Sequence, residues 1–257
     1  MTALERYYQK FDEGHRLQTR HGQVEFRVSM KYIHDFIPAG QKLRILDLGA
    51  GTGAYSVPLS REGHSVTAVE LVGRNLAALE ARHENVNCWP GDARDLHFLP
   101  DGSFDITLLF GPLYHLHGDE DKLAAFSEAR RVTKAGGMIF AAYVMNEYSV
   151  VTYAFRQHHA GELLGKGRLS GDFHTIDGEG DLYSYVRLED IDRLREKAGL
   201  ERVKIIAADG PADYIRRELN EMDGEEFEAF VRFQMATCER PELLGASSHI
   251  VDILRKS

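Results

Sequence analysis

The sequence predicts an α/β protein whose core is a doubly wound parallel sheet. Short apolar runs alternate with segments of helical periodicity, and this alternation repeats from residue 43 to residue 144. The apolar runs are continuous, as in strands that are buried on both faces. Successive strand, helix and strand segments favour parallel pairing with helices covering both sides of the sheet. The expected strands are 43–48, 65–70, 86–89, 104–110 and 138–144.

The later part of the chain adds helices and two further strands. Helices are expected at 54–61 and 74–82, in a segment with Leu123, Phe126, Ala129 and Val132 on one side, and in a segment that Gly199 ends. Residues 134–137 are expected to form a turn. A polar stretch at 158–181, a strand at 200–208, an inserted helical segment at 209–240 and a last strand at 248–254 complete the expected order.

Charge and composition exclude several classes of partner. The chain of 257 residues has 31 Lys and Arg against 40 Asp and Glu, and its net charge of −9 disfavours nucleic acid and acidic membranes. Its two cysteines, Cys88 and Cys238, predict neither a disulfide framework nor a thiolate metal site. Residues 1–6 carry acidic and polar residues where a secretory signal needs an apolar stretch, and the apolar run at 138–145 is too short to span a bilayer, so we expect a cytoplasmic protein.

The strongest local signal is a glycine-rich turn after the first strand. Residues 45–53 read Ile-Leu-Asp-Leu-Gly-Ala-Gly-Thr-Gly, and glycines at such a turn let a ligand approach the backbone closely. Dinucleotide-binding folds use G-x-G-x-x-G, and the triphosphate-binding G-x-x-x-x-G-K-[ST] does not occur in the sequence. The spacing G-x-G-x-G therefore favours a nucleoside that carries no phosphates.

Two acidic residues extend this interpretation to the next strands. Glu70 ends the second strand, where a carboxylate can accept hydrogen bonds from both vicinal hydroxyls of a ribose. Asp92 follows the third strand and could accept a hydrogen bond from an exocyclic amine such as that of adenine. Together with the glycine turn, these residues outline an adenosine.

The motifs at 45–53, 92–93, 104–110 and 131–137, together with Glu70, resemble those of class I S-adenosylmethionine-dependent methyltransferases. The resemblance implies S-adenosylmethionine as cofactor and a Rossmann-like, seven-stranded sheet whose last strand is antiparallel. It implies cofactor contacts from Asp47, Gly49, Ala50, Gly51, Glu70, Leu71, Asp92, Ala93 and Phe110.

The segment after the fourth strand is expected to face the transferable methyl group. Residues 110–117 read Phe-Gly-Pro-Leu-Tyr-His-Leu-His, which resembles small-molecule methyltransferases and lacks the Asn/Asp-Pro-Pro-Tyr of enzymes that methylate bases. Tyr114 and His115 are the first catalytic candidates, followed by His117 and His174. A base is needed only if the acceptor begins protonated, so an O, N, S or C acceptor atom stays open.

We expect one domain over residues 1–257, with a helical lid at 1–40, a cofactor-binding core at 41–145 and the remaining sheet with pocket insertions at 146–257. In the lid, Tyr8 and Arg20 are expected near the cofactor, with an arginine close to its carboxylate; an ordinary amphipathic helix is the alternative for this segment. The apolar stripe Phe227, Phe230, Val231 and Met235 predicts internal packing, with a homodimer contact or a pocket wall as alternatives. No metal is expected, since no histidine pair has a spaced acidic partner.

Two other functions stay open. A nicotinamide-dependent oxidoreductase would share the sheet and the ribose-binding acid but would favour G-x-G-x-x-G. A non-catalytic protein that binds S-adenosylmethionine or S-adenosylhomocysteine would carry the same binding motifs, because these are clearer in the sequence than the catalytic ones.

Overall fold

A computed structural model describes residue 7 and residues 17–178 and 180–257 of the chain. These residues form a seven-stranded sheet with helices packed on its faces. Tyr8 and Glu179 lie outside the described residues. The strands are β1 (Arg44–Leu48), β2 (Ser65–Glu70), β3 (Val86–Pro90), β4 (Phe104–Leu109), β5 (Thr133–Val144), β6 (Glu201–Ala207) and β7 (His249–Arg255).

The strand order is β3-β2-β1-β4-β5-β7-β6. Strands β1 to β5 pair in parallel, and β7 lies antiparallel between β5 and β6. The doubly wound sheet and its antiparallel last strand, both predicted from the sequence, are confirmed. The order reverses between β1 and β4, so their carboxyl ends open the crevice in which such sheets bind ligands.

The helices connect these strands or extend the chain around them. They are α1 (Arg20–Asp35), α2 (Ser56–Arg61), α3 (Gly73–Glu80), α4 (Pro112–His115), α5 (Gly118–Val132), α6 (Asn146–Ser149), α7 (Ala160–Gly165), α8 (Leu188–Ala198), α9 (Arg216–Glu221), α10 (Gly224–Thr237) and α11 (Pro241–Leu244). A π-helix, Val150–Phe155, follows α6. As predicted, Gly199 ends α8, in the left-handed conformation that a side chain would strain.

Alternate residues of the central strands supply two separate cores. On β1, Leu46 and Leu48 pack into one apolar cluster with Phe126 of α5, while Ile45 packs into the opposite cluster with Ile33 of α1. This alternation follows from the two-residue repeat of a strand. The sheet is therefore buried on both faces, as its continuous apolar runs predict.

The prediction of a turn at 134–137 is wrong, because β5 begins at Thr133 and includes these residues. The Gly136 N–H donates to the Lys256 carbonyl at 2.7 Å, and the Lys256 N–H donates to the Gly137 carbonyl at 3.0 Å. These bonds continue the pairing with the end of β7, and the positive φ of Gly136 lets the strand bend there.

The apolar stripe of α10 packs internally, as predicted. Val231 is buried against Val24 of α1, and Phe227, Phe230 and Met235 pack around the same small cluster. Separately, no helix in the described ranges has the length and apolar character needed to cross a membrane.

Candidate active site

A cavity of about 260 Å³ opens at the carboxyl ends of β1, β2 and β4. Parallel strands deliver their loops to this edge of the sheet, so motifs that are distant in the chain meet there. We call it the central cavity. The predicted residues that line it are Asp47, Gly49, Ala50, Gly51, Glu70, Leu71, Asp92, Ala93, Phe110, Tyr114 and His115.

The Glu70 carboxylate lies between two backbone donors at the end of β2. One oxygen accepts the Gly51 N–H at 2.7 Å, and the other accepts the Val72 N–H at 2.7 Å. The residue is only 6% exposed. The side chain is therefore held between the glycine turn and the start of α3.

The glycine turn requires conformations that other residues avoid. Gly49 and Gly51 have φ values of 72° and 57°. A Cβ atom on Gly49 would lie 2.7 Å from Cδ of Pro112, which begins α4. The turn thus passes so close to the start of α4 that only a residue without a side chain fits.

Asp47 lies beneath this turn, 1% exposed. The Ser56 hydroxyl donates to its carboxylate at 2.6 Å. Burial raises the pKa of Asp47 to about 6; the charge of Glu70 raises it further, while the Ser56 hydrogen bond opposes the shift. The buried Asp47 carboxyl thus links β1 to the start of α2.

Asp92 pairs with Arg94, a residue that the sequence motifs did not predict for the site. The Arg94 guanidinium donates to Asp92 at 2.7 Å and also pairs with Asp121 of α5 at 2.9 Å. Hydrogen bonding from Arg94 lowers the pKa of Asp92. Arg94 and Asp121 both line the central cavity. The sequence offers one signal for Arg94. It follows Asp92 by two residues, and an Asp side chain can accept a hydrogen bond from the backbone two residues further on.

The two catalytic candidates lie side by side on α4. The ring centroids of Tyr114 and His115 are 4.9 Å apart, and the His115 ring stacks on Tyr183 at 5.2 Å. His115 Nδ1 donates to the Leu182 carbonyl at 2.9 Å. Both candidates therefore belong to an aromatic wall of the central cavity.

The secondary candidates differ in position. His117 lines the cavity, with Nε2 3.0 Å from the Asp181 carbonyl and Nδ1 3.2 Å from the Asp177 carboxylate. His174 does not line it and lies 3.2 Å from the carboxylate of Asp190.

Arg20 does not reach the central cavity. Its guanidinium donates to the Leu219 carbonyl at 3.1 Å and lies 5.0 Å from the centre of the Phe227 ring. The first turn of α1 therefore faces α9 and α10. Leu17 and Glu25 line the cavity from this end of the chain instead.

Sequence motifs also missed a group of ionisable side chains at the central cavity, of which Glu25 and His249 line it. Asp209 follows β6, His249 begins β7 and Glu25 lies on α1. One ring nitrogen of His249 and one carboxylate oxygen from each of the two acids lie within 4.8 Å of one another. His249 Nδ1 lies 2.7 Å from Asp209 and 3.7 Å from Glu25. Burial raises the pKa of Asp209, and the nearby His249 opposes that shift.

The fold and the site have the features that the sequence resemblance implies. They combine a parallel sheet ordered β3-β2-β1-β4-β5, an antiparallel β7 between β5 and β6, a glycine turn after β1 and a carboxylate ending β2, as expected for a fold like that of class I S-adenosylmethionine-dependent methyltransferases. Residues 46–141 match the family described as a methyltransferase domain. This segment, less than half of the chain, is therefore similar to that family.

Named relatives and a solved structure agree with this placement. A demethylmenaquinone methyltransferase of Streptomyces avermitilis is 33% identical over 128 residues, which cover 50% of this chain and 52% of that protein. A malonyl-[acyl-carrier protein] O-methyltransferase of Erwinia pyrifoliae is 30% identical over 149 residues, covering 57% of this chain and 55% of that protein. The chain thus spans about half the length of these relatives.

In structure, an S-adenosylmethionine-dependent methyltransferase of Methanosarcina mazei aligns with a TM-score of 0.59 at 15% identity. The alignment covers 88% of this chain and 96% of that one. At this identity the likeness establishes the shared fold.

Proposed function

We propose that the protein transfers the methyl group of S-adenosylmethionine to a small-molecule acceptor in the cytoplasm. The observation that carries the proposal is the Glu70 carboxylate, which is fixed by the N–H groups of Gly51 and Val72 on the wall of the central cavity. A fixed carboxylate at this strand end suits the two hydroxyls of an unphosphorylated ribose.

The lining residues fit the parts of the cofactor. In the proposal, Glu70 holds the ribose, the backbone at 49–51 lies along the methionine part, and Asp92 with Ala93 faces the adenine. Leu71 and Phe110 supply apolar contacts. The Gly49 position supports this assignment, since a Cβ there would lie 2.7 Å from Pro112 and close the approach to the backbone. When bound, the cofactor supplies an electrophilic methyl group on a sulfonium.

The acceptor is proposed to lie beside Tyr114 and His115, on the aromatic wall of the same cavity. Methyl transfer is an in-line displacement, so alignment and exclusion of water are the main tasks of these side chains. The relatives named for small or carrier-bound acceptors and the net charge of −9 support a small-molecule acceptor over nucleic acid.

The proposed organisation is one domain over 1–257, in which residues 1–40 cover the core at 41–145 and residues 146–257 shape the acceptor pocket. The sheet supports it, because β7 of the last segment pairs directly with the core strand β5, and β6 of the same segment pairs with β7. Homodimer formation stays a prediction, which sedimentation velocity would measure.

The proposal is tested by incubating the protein with tritiated S-adenosylmethionine and a panel of phenols, enols, carboxylic acids, amines and thiols. Label transfer to one class, with formation of S-adenosylhomocysteine, is the expected result. Saturable cofactor binding with no transfer to any member would favour the non-catalytic binding protein.

A further inference from the structure

We propose that His249 is the general base of methyl transfer and that its partner Asp209 positions it, so that the acceptor is a molecule with an acidic hydroxyl of phenol or enol type. This inference rests on the proposed function and deepens it. It assigns a catalytic role to a residue outside the motifs of residues 45–137.

The geometry of the pair is that of an oriented imidazole. His249 Nδ1 lies 2.7 Å from one Asp209 oxygen, and a carboxylate at this distance accepts the ring N–H. The other Asp209 oxygen accepts the His249 backbone N–H at 2.9 Å and the Ser247 hydroxyl at 2.7 Å. Asp209 is 2% exposed, so it cannot turn away to water. In the neutral ring, a proton on Nδ1 leaves the basic electron pair on Nε2.

The pair lies in the proposed active site. His249, Glu25 and the adjacent Ala208 line the same central cavity as Glu70. They arrive from α1, from the end of β6 and from the start of β7. These elements are different from α4, which carries the catalytic candidates predicted from the sequence.

The other cavity histidines are less suited to the role. His115 donates from Nδ1 to a carbonyl, which carries no charge to stabilise a protonated ring. Nε2 of His117 faces the Asp181 carbonyl at 3.0 Å, and a carbonyl can only accept, so this nitrogen carries a proton. Among the described cavity residues, His249 combines a buried carboxylate on Nδ1 with a proton-accepting Nε2 in that tautomer.

Surrounding charges favour proton uptake. The carboxylates of Asp209 and Glu25 lie 2.7 Å and 3.7 Å from Nδ1 of His249, and both would stabilise the His249 imidazolium. The neighbouring Asp213 is paired with Arg216 at 2.9 Å and lies 3.7 Å from His21. Among the described residues, the carboxylates near His249 thus include those of Asp209 and Glu25 and that of Asp213, which Arg216 balances.

The step balances without any further reactant. The acceptor O–H bond breaks and its proton bonds to Nε2 of His249, which becomes an imidazolium. The freed oxygen pair bonds the methyl carbon, and the pair of the broken C–S bond stays on sulfur, which becomes a neutral thioether. The pKa of a phenol is ~10 and that of an imidazolium is ~6.5, whereas the pKa of water is ~15.7, so an acidic hydroxyl suits this base.

The test compares His249→Gln, Asp209→Asn and the control His97→Gln, an exposed histidine outside the cavity. Each is assayed with the hydroxyl acceptor that the wild-type protein methylates fastest. His249→Gln should lower kcat by about 100-fold or more, and Asp209→Asn by about 10-fold or more. Affinity for S-adenosylhomocysteine should stay within about 2-fold in all three. The acid limb of the pH profile should vanish in His249→Gln, which a purely structural role would not cause.

A second measurement does not depend on turnover. Long-range ¹H–¹⁵N spectra of the histidine-labelled protein with S-adenosylhomocysteine should show neutral His249 protonated on Nδ1, and Asp209→Asn should reverse or mix the tautomers. Wild-type-like turnover in His249→Gln, a preferred amine or thiol acceptor, or a His249 protonated on Nε2 would each overturn the inference. If the wild-type protein does not bind S-adenosylhomocysteine, that result would instead overturn the proposed function.

Discussion

The Glu70 carboxylate accepts the Gly51 N–H at 2.7 Å, and so links the end of β2 to the glycine turn that follows β1. Glu70 ends β2 and Gly51 follows β1, and the carboxyl ends of these neighbouring parallel strands lie together at the central cavity. This bond fixes the carboxylate and the turn relative to each other before any ligand enters. Such preorganisation reduces the ordering that binding requires.

Glu70→Gln should therefore weaken cofactor binding without unfolding the protein. The amide keeps the size of the side chain but places an NH₂ group against a backbone N–H or a ribose hydroxyl. Loss of hydrogen bonds to a charged group costs about 1.5 to 3 kcal/mol, or roughly 10- to 100-fold in affinity. Calorimetry with S-adenosylhomocysteine measures this, with the exposed Glu80→Gln as control. Equal affinities in the two variants would remove the central contact from the account.

Gly49→Ala should destabilise the protein as well as weaken cofactor binding. At φ 72° an alanine is strained by about 1 to 2 kcal/mol, and its Cβ would also press on Pro112. Gly73→Ala is the matched control, because Gly73 opens α3 and a Cβ there meets no atom within 4 Å. Urea denaturation of both variants checks the difference, and a Gly49→Ala variant as stable as the control would contradict the close approach.

The buried Asp47 predicts a pH-dependent stability difference. Its pKa rises from 3.8 to about 6 in the folded state, so the folded protein holds a proton that the unfolded chain releases. The contribution of Asp47 to stability is therefore lost as pH rises from about 4 to 6. Asp47→Asn, which can still accept from Ser56, should gain about 2 to 3 kcal/mol relative to wild type between pH 4 and 7.5. A difference that does not change with pH would show that Asp47 titrates normally.

The local motifs could be read from the sequence because each is a short run between a strand and a turn. Within residues 45–53 a glycine turn directly follows an apolar strand, and Glu70 ends the next one, so the sequence alone indicates where these residues lie. Asp209 and His249 give no such signal, since they are 40 residues apart and meet only because β7 inserts beside β6. The sequence also gives no signal for the contacts of Arg20, because α9 and α10, from a distant segment, supply them.

The lid stays a prediction with one supporting contact. The Tyr7 ring lies 6.3 Å from the ring of Tyr183, which stacks on His115 in the candidate site. If residues 1–16 cover the cavity, their deletion should leave a folded core, since α1 retains its buried Val24 and Val28. Binding of S-adenosylhomocysteine should weaken by about 10-fold, as expected when apolar contacts worth about 1.4 kcal/mol are lost. Cofactor should also protect Arg16 from trypsin in the intact chain, and cleavage at an unchanged rate would contradict a lid.

Calorimetric titration of the wild-type protein with S-adenosylhomocysteine and, separately, with NAD⁺ tests the central claim most directly. The fixed Glu70 carboxylate and the G-x-G-x-G turn favour an adenosine without a pyrophosphate. We therefore predict saturable binding of S-adenosylhomocysteine at one site per chain and no binding of NAD⁺. Saturable binding of NAD⁺ with no response to S-adenosylhomocysteine would contradict the account and favour an oxidoreductase.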